Sequence, residues 1–204
     1  MRPKDKNTEE AILQAARKAF IRKGLAGARM QDIADEAGIN KALVHYYFES
    51  KEKLFGLIFG QEFAKLFSSL ASVLTADIPL YEKIEQIVSL DIERLGQFPD
   101  MPLFVINEIS RNPAMIVKRI KHLDVKNVLE IFQKHVTQEI KKGNIKNITA
   151  EQLLINIQSL CIFPFVAKPM LKSIFKMKET DYHSMIKRRK KEVASFIIDA
   201  IKIG

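Results

Sequence analysis

Residues 29–51 constrain the fold of this chain more than any other stretch, because a sharp turn separates two short segments with buried-face patterns. Ile33 would lie on the inward face of the first segment, a short helix. Gly38 can adopt the left-handed conformation that an abrupt helix end requires. Asn40 is a favourable N-cap for a second helix over about 41–48. The pattern therefore predicts a helix-turn-helix, with that second helix as the candidate recognition helix.

The predicted second helix has two chemically different faces. At about 100° per residue, Val44 and Phe48 fall on the side that would pack against the first helix. The opposite arc presents a cation, a small residue, an imidazole and a phenol, which are Lys41, Ala42, His45 and Tyr46. Long hydrogen-bonding side chains, with a small residue where the backbone comes close, suit the major groove of DNA. A solvated polar face is the alternative, but such faces favour Glu and Lys over adjacent tyrosines.

The motifs around this helix resemble those of the tetracycline-repressor (TetR) family of bacterial transcriptional regulators over about residues 8–55. The matching motifs are Ala11-Ile12-Leu13, Ala15-Ala16, Ala19-Phe20, Lys23-Gly24, Asp32-Ile33-Ala34, Ala37-Gly38-Ile39, Tyr46-Tyr47-Phe48, Ser50-Lys51-Glu52 and Leu54-Phe55. The resemblance implies an all-α fold, with a three-helix DNA-binding domain at 1–53 and a larger helical domain for effector binding and dimerisation at 54–204. It also implies a homodimeric regulator, most simply a repressor, whose partners are an operator in double-stranded DNA and a small-molecule effector.

The candidate DNA contacts divide into two groups. Tyr47, at the end of the recognition helix, and Lys51, at the start of the next helix, are expected to bind the DNA backbone, and Arg29 can reach a phosphate. The residues expected to carry sequence preference are Lys41, Ala42, His45 and Tyr46. Members of the resembled family usually have Thr in place of Arg29, Gly in place of Ala42 and Tyr in place of His45. These departures mean that relatives do not define the operator sequence.

Charge and composition agree with a DNA-binding protein of the cytoplasm. The net charge of +9 favours a polyanionic partner. Cys161 has no second cysteine with which to form an internal disulfide, which fits a reducing compartment. The charged residues 1–6 lack the apolar region of a signal peptide, and the longest apolar run, 160–167, is too short to span a membrane. We therefore expect no membrane association.

Helical periodicity continues to the C-terminus, with prolines and glycines at the boundaries. A first helix is expected to begin after Asn7 or Thr8 and to end at Gly24. Further helices are predicted over about 51–67, 80–96, 102–111, 113–142, 149–163 and 180–203. Thr149 is expected to cap one of these helices, and Pro164 and Pro169 are expected to break or kink the segment after it.

The middle of the chain contains more apolar residues than helix pairing requires, so it can enclose an effector pocket with a few polar anchors. A solidly packed core is the alternative, because Phe and Met at helical spacing usually form core. The candidate pocket residues are Phe104, Asn107, Glu108, Arg111, Phe132, His135 and Gln158. The expected effector is an apolar or amphipathic small molecule, and no metal or cofactor is expected.

Two late helices carry broad apolar faces, which either pair within one subunit or form a dimer interface. The candidate interface residues are Leu153, Ile157, Leu160, Val193, Phe196, Ile197 and Ala200. In the resembled family the corresponding helices build a four-helix bundle between two subunits. Dimerisation also places two recognition helices about one DNA turn apart, which lets the protein read a palindrome.

Two other functions are compatible with the sequence, namely an architectural DNA-binding protein without an effector and an enzyme. The chain has no glycine-rich phosphate loop, nucleophile elbow or His-Glu-x-x-His motif, so we expect no catalytic activity. The basic run 187–191 is either a second nucleic-acid patch or a solvated helix face. We favour the solvated face, with carboxylates of a neighbouring helix close by.

Overall fold

A computed structural model describes residues 5–111 and 124–203 of the chain. Regular structure in these ranges is helical apart from an isolated bridge between Ile145 and Lys202, which confirms the predicted all-α class. The helices are α1 (Lys6–Gly27), α2 (Met30–Ala37), α3 (Lys41–Phe48), α4 (Lys51–Thr75), α5 (Leu80–Gln97), α6 (Met101–Arg111), α7 (Val125–Lys141), α8 (Ala150–Val166), α9 (Lys168–Ile174) and α10 (Glu179–Ile201).

The chain divides into two compact units. The first comprises Met1–Phe63 together with the short segment Gln97–Met101, and the second comprises Ala64–Gly96 and Pro102–Gly204. The division falls inside α4, ten residues beyond the boundary that we placed after residue 53, so α4 runs from one unit into the other. The chain therefore passes between the units at three points rather than one.

The first unit is built on the buried face of α1. Ile12, Ala16 and Phe20 lie on this face, and the Phe20 ring meets the Phe55 ring edge to face, with ring centroids 4.9 Å apart. Helix α1 begins earlier than predicted because Asp5 is its N-cap and its carboxylate accepts a hydrogen bond from the Asn7 amide at 3.2 Å. The predicted start after Asn7 or Thr8 was therefore wrong by two or three residues.

A carboxylate from the inserted segment fixes the end of α1. Gly24 has a φ of 67°, which ends the regular helix at the residue predicted from the sequence. The next amide, that of Leu25, donates a hydrogen bond to Oδ2 of Asp100 at 2.7 Å. A β-carbon at Gly24 would overlap this same oxygen. Glycine is thus required here both for its backbone conformation and for the close approach of Asp100.

The second unit follows most of the helix boundaries expected from the sequence. Helices α5, α6, α8 and α10 match predicted segments to within a few residues, and Thr149 caps α8 by accepting a hydrogen bond from the Gln152 amide at 3.2 Å. The first part of the predicted helix 113–142 lies outside the described residues, and its remainder is α7. The short helix α9 was not predicted.

Pro164 lies inside α8 and does not break it, whereas the predicted bend occurs a few residues later, just before Pro169 at the start of α9. Proline has no N–H, so the carbonyl of Leu160 loses its intrahelical donor. Arg189 of α10 supplies a replacement, donating from Nη2 to the Leu160 oxygen at 2.7 Å. The chain bends after Val166, where α8 and α9 meet at 70°. In the described ranges no single helix is long and apolar enough to span a membrane, but α8 and α9 taken together meet that criterion.

Among the described residues of the second unit, one lysine and one aspartate are buried. Lys83, 1 % exposed, donates from Nζ to the carbonyls of Val73 at 3.2 Å, Leu74 at 2.9 Å and Ala76, and so caps the C-terminal end of α4. Burial lowers the pKa of Lys83. Asp91 on α5 is 2 % exposed and accepts a hydrogen bond from Nε2 of Gln158 on α8 at 2.6 Å. Burial raises the pKa of Asp91 to about 7.

Candidate nucleic-acid interface

The turn between α2 and α3 has the geometry that the sequence predicted. Gly38 adopts a left-handed conformation, with φ of 66° and ψ of 32°, and the following Ile39 amide donates to the Ala34 carbonyl at 3.0 Å. The Asn40 side chain accepts a hydrogen bond from the Ala42 amide at 2.8 Å and caps α3. Both predicted roles, of Gly38 and of Asn40, are confirmed, and they fix the direction in which α3 leaves the turn.

Helix α3 separates a buried face from an exposed one. Val44 is 0 % exposed and Phe48 is 5 % exposed, so this face packs inside the first unit as predicted. The four residues predicted to carry sequence preference are all exposed, and they are Lys41, Ala42, His45 and Tyr46. The helix thus presents one cation, one imidazole and one phenol beside an alanine that allows close approach.

Tyr47 has a different position from the one expected of a residue that binds DNA. Its side chain is 8 % exposed, and its hydroxyl accepts a hydrogen bond from the Asp5 amide at 2.8 Å. The Tyr47 ring also meets the Tyr46 ring edge to face, with centroids 5.6 Å apart. The ring of Tyr47 therefore lies on the packed side of α3 and its hydroxyl contacts the start of α1, so in this structure it is less accessible to a phosphate than expected. Its contact with DNA stays a prediction.

Arg29 and Lys51 stand at helix N-termini, where amides and the helix dipole favour an anion. Arg29 is exposed just before α2, and its amide donates to Oδ2 of Asp32 at 2.9 Å. Asp32 is also paired with Lys23 at 2.8 Å, and this hydrogen bond is the main reason that the pKa of Asp32 is lowered. Lys51 is partly exposed at the first position of α4. Both cations occupy positions suited to phosphate.

The C-terminal end of α3 contains a reciprocal pair that we did not predict. The Glu49 amide donates to the His45 carbonyl at 2.8 Å, and Nδ1 of His45 lies 3.1 Å from the Glu49 carbonyl oxygen. Glu49 has a φ of 60°, which is unusual for a residue with a side chain. A histidine three or four residues before a helix end is the only sequence signal for such a cap.

Ion pairs between α1 and α2 hold the first helix of the motif in place. Glu36 accepts hydrogen bonds from Arg22 at 2.6 Å and from Lys18 at 3.2 Å. These two cations, Arg22 first, lower the pKa of the Glu36 carboxyl. Because Glu36 lies on α2 and both partners lie on α1, the pairs help to orient the helix that supports α3.

The residues predicted to line an effector pocket lie in different environments. Phe132 is 0 % exposed and belongs to the core, His135 is half-buried with its pKa lowered by burial, and Gln158 is bonded to Asp91. The side chains of Phe104, Asn107, Glu108 and Arg111 lie outside the described part of the structure. Asp91 was missed, although it occupies a position on the apolar stripe of α5 where a carboxylate is unexpected.

The residues predicted to form the dimer interface fall into a buried group and a more exposed group. The side chains that are packed inside the subunit, where α8 and α10 contact each other, are Leu153, Ile157, Val193 and Ile197. The two apolar stripes thus pair within one chain, although Leu153 and Ile197 also line the outer groove beside Phe196, and a part for these four in a dimer stays a prediction. Phe196 is 65 % exposed, Ala200 is exposed and Leu160 is half-buried. An outer apolar surface therefore remains, and it includes Phe163, which is 55 % exposed.

The basic run 187–191 is a helix face whose charges are partly paired. Lys190 binds Glu93 of α5 at 2.6 Å, and Arg188 lies 3.6 Å from Glu192. Arg189 is directed inward to the Leu160 carbonyl. These contacts support the solvated-face interpretation, including the expected carboxylate from a neighbouring helix.

Known proteins share both the motif and the fold. Residues 12–58 match the family of bacterial regulatory proteins designated the tetR family. The probable HTH-type transcriptional regulator YttP of Bacillus subtilis is 22% identical over 175 residues, covering 84% of each chain. The HTH-type transcriptional regulator RutR of Escherichia coli is 25% identical over 149 residues, covering 73% of this chain and 69% of RutR. The structure of Bacillus subtilis FadR in complex with stearoyl-CoA is similar in fold, with a TM-score of 0.60, 16% identity and coverage of 94% of this chain and 98% of FadR.

Proposed function

Since the chain is a transcriptional regulator of the TetR family, we propose that it is a homodimeric repressor released from a palindromic operator by an apolar or amphipathic small molecule. The observation that carries the proposal is α3, a capped helix that exposes Lys41, His45 and Tyr46 on one face and buries the other. The proposed site of action of the protein is the bacterial cytoplasm, and the proposal assigns no catalytic step to the chain. Burial raises the pKa of the Cys161 thiol to about 12, which makes this cysteine a poor nucleophile.

The proposed DNA contacts follow from position and charge. Lys41, Ala42, His45 and Tyr46 enter the major groove, where base edges are distinguishable. Arg29 and Lys51 bind phosphates on the two sides of α3. The proposal does not require Tyr47 to touch DNA, because its hydroxyl contacts the start of α1.

The dimer in this proposal uses the outer face of α8 and α10. Phe196 and Phe163 are large side chains that are mostly exposed, and exposed apolar surface of this kind often marks an interface. Leu160 and Ala200 flank Phe196 on the same outer groove. A two-fold dimer would present two recognition helices, and the half-site spacing of the operator then follows from their separation.

Release from DNA is proposed to be a population shift in the second unit. FadR, similar in fold, was solved with stearoyl-CoA, which supports an amphipathic effector for this chain. An effector that binds better to one packing of the second unit changes the population that can bind DNA, by no more than its difference in affinity. Helix α4 runs through both units and is the proposed route of this change.

The experiment is selection of genomic fragments by the purified full-length protein, followed by footprinting. Discrete inverted repeats support the regulator, whereas broad coverage without sequence preference would favour the architectural alternative. Lys51→Ala should weaken binding to all selected sites about equally and reduce the salt slope by roughly one phosphate contact. Lys187→Ala, a loss of the same charge on the exposed face of α10, is the matched control and should leave the slope unchanged. An unchanged slope for Lys51→Ala would contradict the phosphate assignment.

A further inference from the structure

The contact between His45 and Glu49 determines which ring nitrogen of the exposed imidazole carries the hydrogen. Nδ1 of His45 lies 3.1 Å from the main-chain oxygen of Glu49. A carbonyl oxygen only accepts hydrogen bonds, so Nδ1 must be the donor in this contact. A neutral imidazole has one N–H, and Nε2 is therefore left with a lone pair.

The same contacts determine the orientation of the imidazole ring as well as its tautomer. The Glu49 amide returns a hydrogen bond of 2.8 Å to the His45 carbonyl, so the two residues are joined by one contact in each direction. The Glu49 carboxylate forms an ion pair with Lys53. Because the two nitrogens of an imidazole point away from each other, Nε2 is directed away from the Glu49 carbonyl. Among the described residues, no protein group bonds to Nε2.

We propose that His45 determines specificity by accepting, through Nε2, a hydrogen bond from an exocyclic amino group of adenine or cytosine. In the major groove these are the donor groups, N6 of adenine and N4 of cytosine. Guanine presents O6 and N7 and thymine presents O4, which are acceptors and would face the lone pair of Nε2. His45 is exposed on the same face of α3 as Lys41 and Tyr46, where a base edge can reach it.

This inference rests on the proposed function, since it concerns the base that the regulator reads. It specifies that His45 binds a base that presents an amino group, and it explains this preference by the hydrogen bond between the His45 ring and the main-chain carbonyl of Glu49. Glu49 is a positioning residue in this scheme, because its carbonyl orients the imidazole and need not touch DNA.

The first test needs no DNA. Long-range ¹⁵N–¹H spectra of the full-length protein at pH 8 distinguish a protonated Nδ1 from a protonated Nε2, and we expect Nδ1 to carry the hydrogen. His45→Asn identifies the signals and keeps an amide donor near the Glu49 carbonyl. A spectrum in which Nε2 carries the hydrogen would overturn the inference.

The second test removes amino groups from the selected operator one at a time. Purine replaces adenine and 2-pyrimidinone replaces cytosine at each position of the half-site. For the wild-type protein we expect a loss of about 10-fold to 100-fold in affinity at one position. For His45→Phe, whose ring has no acceptor nitrogen, the same replacement should cost nothing further at that position. His183→Phe on α10 is the matched control and should behave like wild type.

The outcomes separate this inference from the proposed function. A protein that selects an inverted repeat but tolerates every amino-group removal would overturn the role of Nε2 and leave the regulator intact. Sensitivity to 7-deazaguanine at the position that His45→Phe relaxes would show that a base acceptor is read instead, and would also overturn the inference. A protein that selects no specific DNA would overturn both.

Discussion

Asp91 offers a direct test of the energetics of the second unit, through the substitution Asp91→Asn. The carboxyl is 2 % exposed, and its one described hydrogen bond comes from Gln158 at 2.6 Å. Burial, opposed in part by that hydrogen bond, raises its pKa from 3.8 to about 7. Asparagine keeps an oxygen that accepts from Gln158 and never becomes charged, so the substitution removes the titration and retains most of the contact.

The sign of the effect follows from which state binds the proton more tightly. Between pH 3.8 and about 7 the folded protein retains a proton that the unfolded chain has released. The free energy of unfolding must therefore fall as the pH rises through this interval. At about 1.4 kcal/mol per pH unit the full interval corresponds to roughly 4 kcal/mol, of which roughly 3 kcal/mol lies above pH 5.

The assay is urea unfolding of wild type and Asp91→Asn at fixed protein concentration between pH 5 and pH 8. The free energy of the variant minus that of wild type should rise by roughly 3 kcal/mol across this range, whatever fixed offset the new amide introduces. Glu85→Gln, which changes an exposed carboxylate on the same helix, should show almost no such rise. Parallel pH profiles for wild type and Asp91→Asn would refute the reasoning, because they would mean that Asp91 does not titrate between the two states.

Four further substitutions test other parts of the structure. Gly24→Ala should lower the free energy of unfolding by about 2–3 kcal/mol, from the left-handed backbone and the displaced Asp100 carboxylate, and a thermal melt unchanged from wild type would contradict this. Thr149→Ala should cost about 1 kcal/mol in urea unfolding through loss of the α8 cap, and an increase in stability would exclude that role. Phe196→Asp should yield folded monomers in sedimentation velocity, whereas Leu153→Asp should unfold the subunit; a Phe196→Asp dimer would remove the proposed interface.

The first unit could be predicted largely because local rules determine it. Gly38 and Asn40 each perform a role that requires only their immediate neighbours, namely a left-handed turn and an N-cap. The exposed face of α3 followed from helical periodicity alone. Tyr47 was the exception, because its partner Asp5 lies 42 residues away in the sequence.

The second unit departs from prediction where long-range partners override local preference. Pro164 stays inside α8 because Arg189, 29 residues from the carbonyl it binds, replaces the missing donor. The packing of Leu153 and Ile197 within the subunit was not predicted, because periodicity shows that a stripe is apolar but does not show what covers it. The buried position of Asp91 was not predicted for the same reason, since its hydrogen-bond partner Gln158 lies on another helix.

The inserted segment Gln97–Met101 has a consequence for engineering this regulator. A chimera made with a single cut would assume that the DNA-reading head is one continuous piece. Here a fragment that ends at Phe63 would lack Asp100, and the amide of Leu25 would lose its acceptor. A chimera with a foreign sensor must therefore transplant two pieces of this chain and match three junctions, and designs with a single cut should give a head with a loosened end of α1.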